Sequence, residues 1–239
     1  MNLTVGTHNL ADATVDEAVE FADDCVAVAW QEGGDRGDVV RALSRAGHEL
    51  HVPDVPGGPS TPLSWHPSRL RFLRPLLVQL HPGGDIGPGT GPDDGKPKWL
   101  VGGYFVDLAA RRRVAIGNVH LYAGQKARVG QLNRRARIGR DMLVTVATTF
   151  EDYTGVPIVG GDYNTLPTSR TVAPLRDAGW ACSHDKRRIG THGKWTPDHV
   201  WWRPSDRIAF VRQSARNTHS DHDALQVVLD IHPRGRVPA

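Results

Sequence analysis

Acidic, amide and imidazole side chains stand at or beside the ends of predicted strands along most of this sequence. They are Asn9, Glu32, His120, Asp162, Asn164, Asp198, Asp221 and His222. Carboxylate and amide oxygens bind hard divalent cations, and imidazoles exchange protons or donate hydrogen bonds near neutral pH. The chain also carries 12 histidines, which favours phosphate or metal chemistry. Ligand sites of α/β sheets collect at strand ends and in the loops that follow, so the set indicates one shared site.

The most compact pair in this set is Asp162 and Asn164, which lie two residues apart in the segment GGDYN. In an extended chain this spacing directs both side chains to the same face. The aspartate could accept a proton from water, whereas the asparagine could only hold and orient a group. The same Gly-Gly-Asp-x-Asn pattern is also favourable for a turn, so the motif alone leaves a purely structural role open.

Predicted strands and helices alternate along the chain. Residues 25–30 form a continuous apolar run, which is typical of a strand buried on both faces. A capping box, Thr14-x-x-Glu17, predicts the start of a helix, and Gly47 predicts the end of a second one over residues 38–46. A stripe of apolar residues between Val129 and Phe150 predicts a third helix. Further strands are predicted at residues 3–7, 63–65, 70–80, 99–108, 113–121, 157–161, 200–202, 208–212 and 224–231.

Composition narrows the class of protein. With 39% hydrophobic and 23% charged residues, the chain is neither disordered nor membrane-embedded, and no apolar run approaches the ~18–20 residues that span a bilayer. The formal net charge of +3 is too small to establish a polyanionic partner. Cys25 and Cys182 are the only cysteines, which favours reduced thiols, and residues 1–10 lack a secretory signal. We therefore expect one α/β domain over residues 1–239, in the cytoplasm.

Six segments, in this order along the chain, resemble the endonuclease/exonuclease/phosphatase superfamily, the deoxyribonuclease I-like metal-dependent phosphodiesterases. They are THNL at 7–10, WQE at 30–32, GNVHL at 117–121, GGDYN at 160–164, DHVW at 198–201 and SDH at 220–222. The resemblance spans nearly the whole chain. It implies a four-layer α/β sandwich, with two packed mixed β-sheets flanked by helices.

The resemblance also implies a metal site. Glu32 matches the glutamate that binds the metal in the family, and Asn9 and Asp221 match positions close to the same ion. The implied ion is Mg2+, for which Mn2+ can substitute. Magnesium takes oxygen ligands and keeps several waters, so one or two carboxylates suffice. Without the family pattern, a glutamate in a glycine-rich turn would be read as exposed to solvent.

The same resemblance assigns catalytic roles. Asp162 would activate the attacking water or bind a second ion, and Asn164 would contact phosphate or water. His222 would hydrogen-bond the scissile phosphate or act as the base, with Asp198 orienting it, and His120 would be a second phosphate donor that could protonate the leaving oxygen. The sequence leaves open whether Asp162 or His222 takes the proton from water.

Substrate recognition is predicted from Lys96, Lys98 and Trp99, which offer two cations and an aromatic ring that could stack on a base. The first hypothesis is therefore a Mg2+-dependent DNA endonuclease with nucleic acid as its partner and no obligate protein partner. The alternative is a phosphoesterase acting on a phospholipid head group, an inositol phosphate or a nucleotide. A third is a catalytically silent binding protein on the same fold.

Overall fold

The computed structural model describes residues 1–33, 36–55, 61–87, 95–125, 127–128, 131–185 and 189–233. The α-helices of this part of the chain are α1 (Val15–Asp23), α2 (Gly37–Arg45), α3 (Arg134–Thr149) and α4 (Ala173–Asp177). Its strands are β1 (Asn2–Asn9), β2 (Ala27–Gln31), β3 (Glu49–His51), β4 (Leu63–Trp65), β5 (Leu70–His81), β6 (Lys98–Asp107), β7 (Arg112–His120), β8 (Ala127–Arg128), β9 (Gln131–Leu132), β10 (Val156–Asp162), β11 (Ala181–Cys182), β12 (Asp198–Trp202), β13 (Ile208–Arg216) and β14 (Ala224–Ile231). Two short 3-10 helices lie at Arg170–Val172 and Ser183–Asp185.

Two six-stranded mixed sheets form the frame. The first sheet has the order β13-β14-β1-β2-β4-β3, and the second has the order β11-β12-β10-β7-β6-β5. One parallel pair occurs in each sheet, β1 with β2 and β7 with β10, and the other neighbours are antiparallel. Strands β8 and β9 make a separate small ribbon.

The two sheets pack face to face, and helices cover their outer faces. In β2, Ala29 faces the core between the sheets, whereas Trp30 faces the core beneath α1 and α2. In β10, Ile158 points into the core between the sheets and Val159 into the core beneath α3 and α4. This alternation of apolar residues to both faces gives four layers, which confirms the predicted α/β sandwich.

The predicted helices form, with one correction. Thr14 and Glu17 make both hydrogen bonds of the capping box at α1, and Gly47 follows α2 with φ +90°. The third helix begins later than its apolar stripe predicts: Asn133 caps it by accepting from the backbone N–H of Ala136, and Leu132 lies in β9. Val129 lies outside the described residues. No helix in the described ranges is both long and apolar enough to cross a bilayer.

The strands match their predictions closely, because each carries a continuous or alternating apolar pattern. Strands β4 and β14 have the predicted bounds, and β12 extends further, beginning at Asp198 itself. The sequence patterns missed β3, β8, β9 and β11, which have two or three residues each, although β4, which also has three residues, was predicted. A segment of two or three residues rarely shows a clear period of two.

Candidate active site

Three of the predicted site residues lie side by side in one row across the second sheet. Strand pairing aligns Asp162 of β10 with His120 of β7 on one side and with Asp198 of β12 on the other. Residues in the same row of a sheet direct their side chains to the same face. The strand register therefore brings together a carboxylate, an imidazole and a second carboxylate from three distant parts of the sequence.

Asp162 is at the centre of this row and is buried. Its Oδ1 accepts the backbone N–H of Asn164 at 2.7 Å, and its Oδ2 lies 3.4 Å from Asn9 Nδ2 and 3.5 Å from His120 Nε2. Burial raises the pKa of Asp162, the charge of Asp198 raises it further, and His120 and His222 act in the opposite direction. An aspartate with a raised pKa is a stronger acceptor of protons than an exposed one.

Asn164 reaches Asp162 through a turn. Its backbone has φ +50°, in the left-handed region, so residues 162–164 are not an extended segment. Its Nδ2 donates to the carbonyl of Leu121 at 2.9 Å and lies 3.3 Å from Asp162 Oδ2. The extended-chain argument from the i, i+2 spacing therefore gave the wrong reason for the contact. An Asx turn, in which the Asp162 side chain accepts the Asn164 N–H, brings the two together.

His222 and Asp198 form a tight buried pair. His222 Nδ1 lies 2.8 Å from Asp198 Oδ2, and His222 Nε2 points back toward the row, 4.0 Å from Asp162 Oδ2. Burial alone would lower the pKa of His222. The hydrogen bond and charge of Asp198, with Asp162 and Asp221, outweigh burial and raise that pKa to about 9. At neutral pH His222 is therefore a cation and a hydrogen-bond donor.

The first sheet contributes Asn9 at the end of β1 and Glu32 just after β2. Asn9 Nδ2 donates to Glu32 Oε1 at 3.0 Å, and Asn9 Oδ1 accepts the backbone N–H of Ala11 at 3.1 Å. Together with its contact to Asp162, the Asn9 amide links the carboxylates of the two sheets. Glu32 is half-buried and has φ +55°, which turns the chain sharply after the strand.

A buried polar network supports this junction from below. Gln31 Nε2 donates to Asn118 Oδ1 at 2.7 Å, and Asn118 Nδ2 donates to the carbonyls of Trp30 at 2.6 Å and Pro62 at 2.9 Å. Thr7 Oγ1 donates to Gln31 Oε1 at 3.2 Å. The network joins β1, β2 and β7 across the two sheets and fixes the strand that precedes Glu32. The Gln31 and Asn118 positions stood in the segments that carried the resemblance, but the sequence assigned them no role.

The oxygen donors suit a hard divalent cation. The carboxylates of Glu32 and Asp162 lie on either side of the Asn9 amide, within 3.4 Å of it. Asp198 Oδ1 is buried and has no hydrogen-bond partner among the described residues. Asp162, Asp198 and His222 also form a group whose ligand atoms lie within 4.8 Å of one another. In this arrangement Asn9 presents its N–H groups to the carboxylates, so its predicted role as an oxygen ligand stays a prediction.

The remaining predicted metal ligand, Asp221, lies at the rim of the site. Its side chain is exposed, its carboxylate is 3.9 Å from His192 Nδ1, and its backbone carbonyl is 2.8 Å from the same nitrogen. His192 was assigned no role from the sequence, yet its ring centroid lies 4.9 Å from that of His222. No sequence signal singles out this contact, because it depends on the packing of two loops.

The predicted substrate residues differ in how far their side chains are exposed. Lys98 begins β6 beside the end of β7, is buried, and places Nζ 5.0 Å from the ring centroid of Tyr122. Lys96 is exposed and Trp99 is half-buried. Trp195 is 63% exposed in the small hairpin that contains His192, and it offers a more accessible aromatic surface than Trp99.

Comparison with solved structures shows the same fold over the whole chain. An endonuclease/exonuclease/phosphatase family protein from Bacteroides thetaiotaomicron has a TM-score of 0.73 at 16% identity, covering 96% of this chain and 97% of its own. The mannosyl-6-phosphatase of the same organism has a TM-score of 0.71 at 17% identity, covering 95% and 99%. D. rerio TDP2, complexed with single strand DNA product, has a TM-score of 0.67 at 13% identity, covering 96% and 99%.

No sequence-family model matches the chain, and no curated protein matches it either. The chain thus has the fold of endonuclease/exonuclease/phosphatase family structures, as the resemblance predicted. At these identities the likeness establishes the fold alone. The descriptions of the last two neighbours differ, since one is a mannosyl-6-phosphatase and the other holds a single strand DNA product.

Proposed function

We propose that this chain is a divalent-metal-dependent phosphoesterase and that its substrate is a phosphodiester of DNA, which it cleaves internally. One observation carries the proposal. Asp162 is surrounded within 4.0 Å by the side chains of Asn9, Asn164, His120 and His222, which come from both sheets. A site of this kind combines a buried carboxylate with several donors that an anionic group could accept from.

Asp162 is the group we assign to the attacking water. Its raised pKa makes it the better proton acceptor, whereas His222 is already protonated at neutral pH and cannot serve as the base. Asn164 fixes the orientation of the Asp162 carboxylate through two contacts, one from its backbone N–H to Oδ1 and one from its side-chain Nδ2 to Oδ2. Of the two candidates that the sequence left open, we therefore propose Asp162 as the base.

His222 and His120 are placed to bind and stabilise the phosphate. The cationic His222 Nε2 would donate to a non-bridging oxygen, and Asp198 would hold its ring in one orientation. His120 lies in the same row as Asp162, and we assign it to the leaving oxygen, which takes a proton when the P–O bond breaks. Proton balance then runs from water to Asp162 and from His120 to the leaving group.

Glu32 is the principal metal ligand that we propose, with Asn9 and Asp221 as further predicted ligands near it. A bound Mg2+ would neutralise phosphate charge and polarise the P–O bond. The chain itself holds the Glu32 carboxylate in place through Asn9 and through the network beneath Gln31.

Several observations favour nucleic acid over a small phosphomonoester. The chain is basic overall, with a sequence pI of about 9.1, and the exposed Lys96 lies two residues before Lys98, which begins β6. Trp195 presents an exposed ring beside the His192–His222 contact, where a base could stack. A sugar phosphate remains the second candidate, because the mannosyl-6-phosphatase is a structural neighbour of equal quality. Cys25 and Cys182 are both buried and unpaired, which supports our proposal of a cytoplasmic location.

The test is a hydrolysis panel on the full chain with Mg2+, with Mn2+ and with chelator. The substrates are supercoiled plasmid, a single-stranded oligonucleotide, mannose 6-phosphate, sphingomyelin and an inositol phosphate. We expect metal-dependent plasmid nicking that falls at least ~100-fold in both Glu32→Gln and Asp162→Asn. Glu151→Gln, an exposed acid after α3, is the matched control and should retain full activity.

Each contrary outcome has a distinct meaning. Metal-dependent release of phosphate from mannose 6-phosphate, without nicking, would replace DNA by a sugar phosphate and leave the chemistry intact. Nicking that survives both substitutions would come from a contaminant and would overturn the site assignment. Binding of DNA with no hydrolysis of any substrate, with either metal, would support the silent binding protein instead.

A further inference from the structure

A second group of potential metal ligands lies away from the catalytic row. It consists of Asp23 at the end of α1, His48 between α2 and β3, and His66 directly after β4. One ligand atom from each residue lies within 4.8 Å of the other two. His48 Nε2 is 3.1 Å from Asp23 Oδ1, and the rings of His48 and His66 have their centroids 4.0 Å apart at an angle of 38°.

Strand pairing and a helix end hold these residues in place. Strands β3 and β4 are antiparallel, with Glu49 opposite Trp65, so His48 and His66 stand next to each other just beyond that pair. The end of α2 forms a Schellman motif, in which the N–H of His48 donates to the carbonyl of Leu43 at 3.0 Å. Three separate elements thus deliver one side chain each to the same point.

The group lies at one end of the strands of the first sheet, and the catalytic residues lie at the other end. Trp65 pairs with Ala27 at the start of β2, whereas Glu32 follows the end of the same strand. Five residues of extended strand separate the two positions, or roughly 17 Å at ~3.3 Å per residue. A ligand bound by Asp23, His48 and His66 would therefore be distinct from the ion that we propose at Glu32.

The chemistry of the donors indicates which ion would bind. The His48 side chain is 1% exposed, and its Nδ1 has no hydrogen-bond partner among the described residues. Burial, together with the neighbouring His48, lowers the pKa of His66, and the charge of Asp23 acts in the opposite direction. Two imidazoles and one carboxylate are ligands typical of zinc and related transition metals, whereas Mg2+ prefers oxygen alone.

The spacing is also close to what such an ion requires. Metal–nitrogen and metal–oxygen bonds of ~2.0–2.1 Å in a tetrahedron place neighbouring ligand atoms ~3.3 Å apart. The 3.1 Å between His48 Nε2 and Asp23 Oδ1 already meets this, and a ligand atom of His66 lies within 4.8 Å of both residues. The Asp23 side chain is 56% exposed, so a fourth position would be open to water.

We propose that Asp23, His48 and His66 form a binding site for a zinc-class transition-metal ion. Such an ion would join the end of α1 to the β3–β4 edge of the sheet. Because it would bind the folded chain and not the unfolded one, it would stabilise the fold by an amount that rises with the logarithm of the ion concentration above Kd. The site does not depend on the hydrolytic activity.

The experiment uses the metal alone on the full chain. The chain is stripped with chelator and titrated with Zn2+ against a competing chelator, in a His222→Ala background. That background removes one ligand from each of the two other potential metal groups of the described residues, both of which contain His222. We expect one Zn2+ per chain, and a rise in thermal midpoint on addition of Zn2+.

Asp23→Asn and His66→Gln should each weaken Zn2+ binding by at least ~10-fold and remove the thermal shift, because loss of a second-shell partner alone costs that much. Asp23 is exposed, so its variant should fold with an unchanged metal-free thermal midpoint. His219→Gln is the matched control, since His219 pairs with Glu17 at 2.8 Å without a third ligand. No Zn2+ binding in the background variant, or binding unaffected by both substitutions, would overturn the proposal and leave only the hydrogen bond between His48 and Asp23.

Discussion

Replacement of Asp198 by asparagine tests whether the fold holds His222 in its cationic form. The two side chains are buried, with His222 Nδ1 2.8 Å from Asp198 Oδ2. Asparagine has nearly the same shape and can still accept a hydrogen bond, but it carries no charge. Burial, which lowers the pKa of His222, would then be opposed only by Asp162 and Asp221. We expect the pKa to fall from about 9 toward its ordinary value of 6.5.

The size of the effect follows from this difference. A tenfold change in proton affinity is worth ~1.4 kcal/mol, so a pKa raised from 6.5 to about 9 corresponds to roughly 3 kcal/mol. Because the folded-state pKa lies above the unfolded one, this stabilisation is fully present below pH 6.5. It is lost as the pH rises from 6.5 through about 9. The Asp198→Asn variant should therefore show a flatter dependence of unfolding free energy on pH across that window.

Two measurements check the reasoning. An NMR titration of the His222 ring should give a midpoint near 9 in the wild type and one at least a full pH unit lower in Asp198→Asn. If a cationic His222 binds the phosphate, hydrolysis should persist to about pH 9 in the wild type and decline at lower pH in the variant. Asp206→Asn, at an exposed position, serves as control. A wild-type midpoint near 6.5, or identical alkaline limbs in both proteins, would refute the argument.

Three further substitutions probe how the frame positions the site. Gly161→Ala should destabilise the fold by about 1–3 kcal/mol and reduce hydrolysis, because the added Cβ would lie 2.1 Å from the Val119 carbonyl oxygen. Gly160→Ala is the control, because its nearest neighbouring atom is 3.3 Å away. It should lower the unfolding free energy far less in chemical denaturation. Asn118→Ala should cost about 3 kcal/mol of unfolding free energy in urea, since it leaves buried hydrogen-bonding groups without partners; an unchanged denaturation midpoint would contradict this. Trp195→Ala should leave the thermal midpoint unchanged and raise KM about tenfold with little change in kcat, and an unaltered KM would remove this residue from substrate binding.

The sequence predicted which residues lie together in the structure better than how they meet. Each of His120, Asp162 and Asp198 could be assigned to the start or end of a strand from apolar patterns alone. Their alignment in one row depends on the pairing of β7 with β10 and of β10 with β12, between segments separated by tens of residues. Hydrophobic periodicity specifies which face of a strand is buried, but it carries no information on which strand lies next to it.

Local backbone geometry was the second feature that the sequence did not predict. Asn164 and Glu32 both have positive φ, although neither is a glycine, and both contact the central cluster. Asparagine is enriched in the left-handed region, so the residue type is compatible with the turn at Asn164, whereas a glutamate at position 32 gives no such signal. The contact of His192 with His222 escaped for a related reason, since the hairpin that carries it is fixed by backbone hydrogen bonds such as Asp223 N–H to Thr191 carbonyl.

The charges of the site argue for the division of labour proposed above. Asp162 and Asp198 stand in adjacent strands and repel each other, so each raises the cost of the other's charge. Asp198 is paired with the cationic His222, so its negative charge is balanced by one positive charge. Asp162 Oδ1 accepts the Asn164 N–H at 2.7 Å, whereas the contacts of its Oδ2 are all 3.3 Å or longer, so Oδ2 is the oxygen that we assign to the proton of the water. Among the described residues, no lysine or arginine side chain forms an ion pair with Glu32 or Asp162, and a bound divalent ion would supply positive charge beside these two carboxylates.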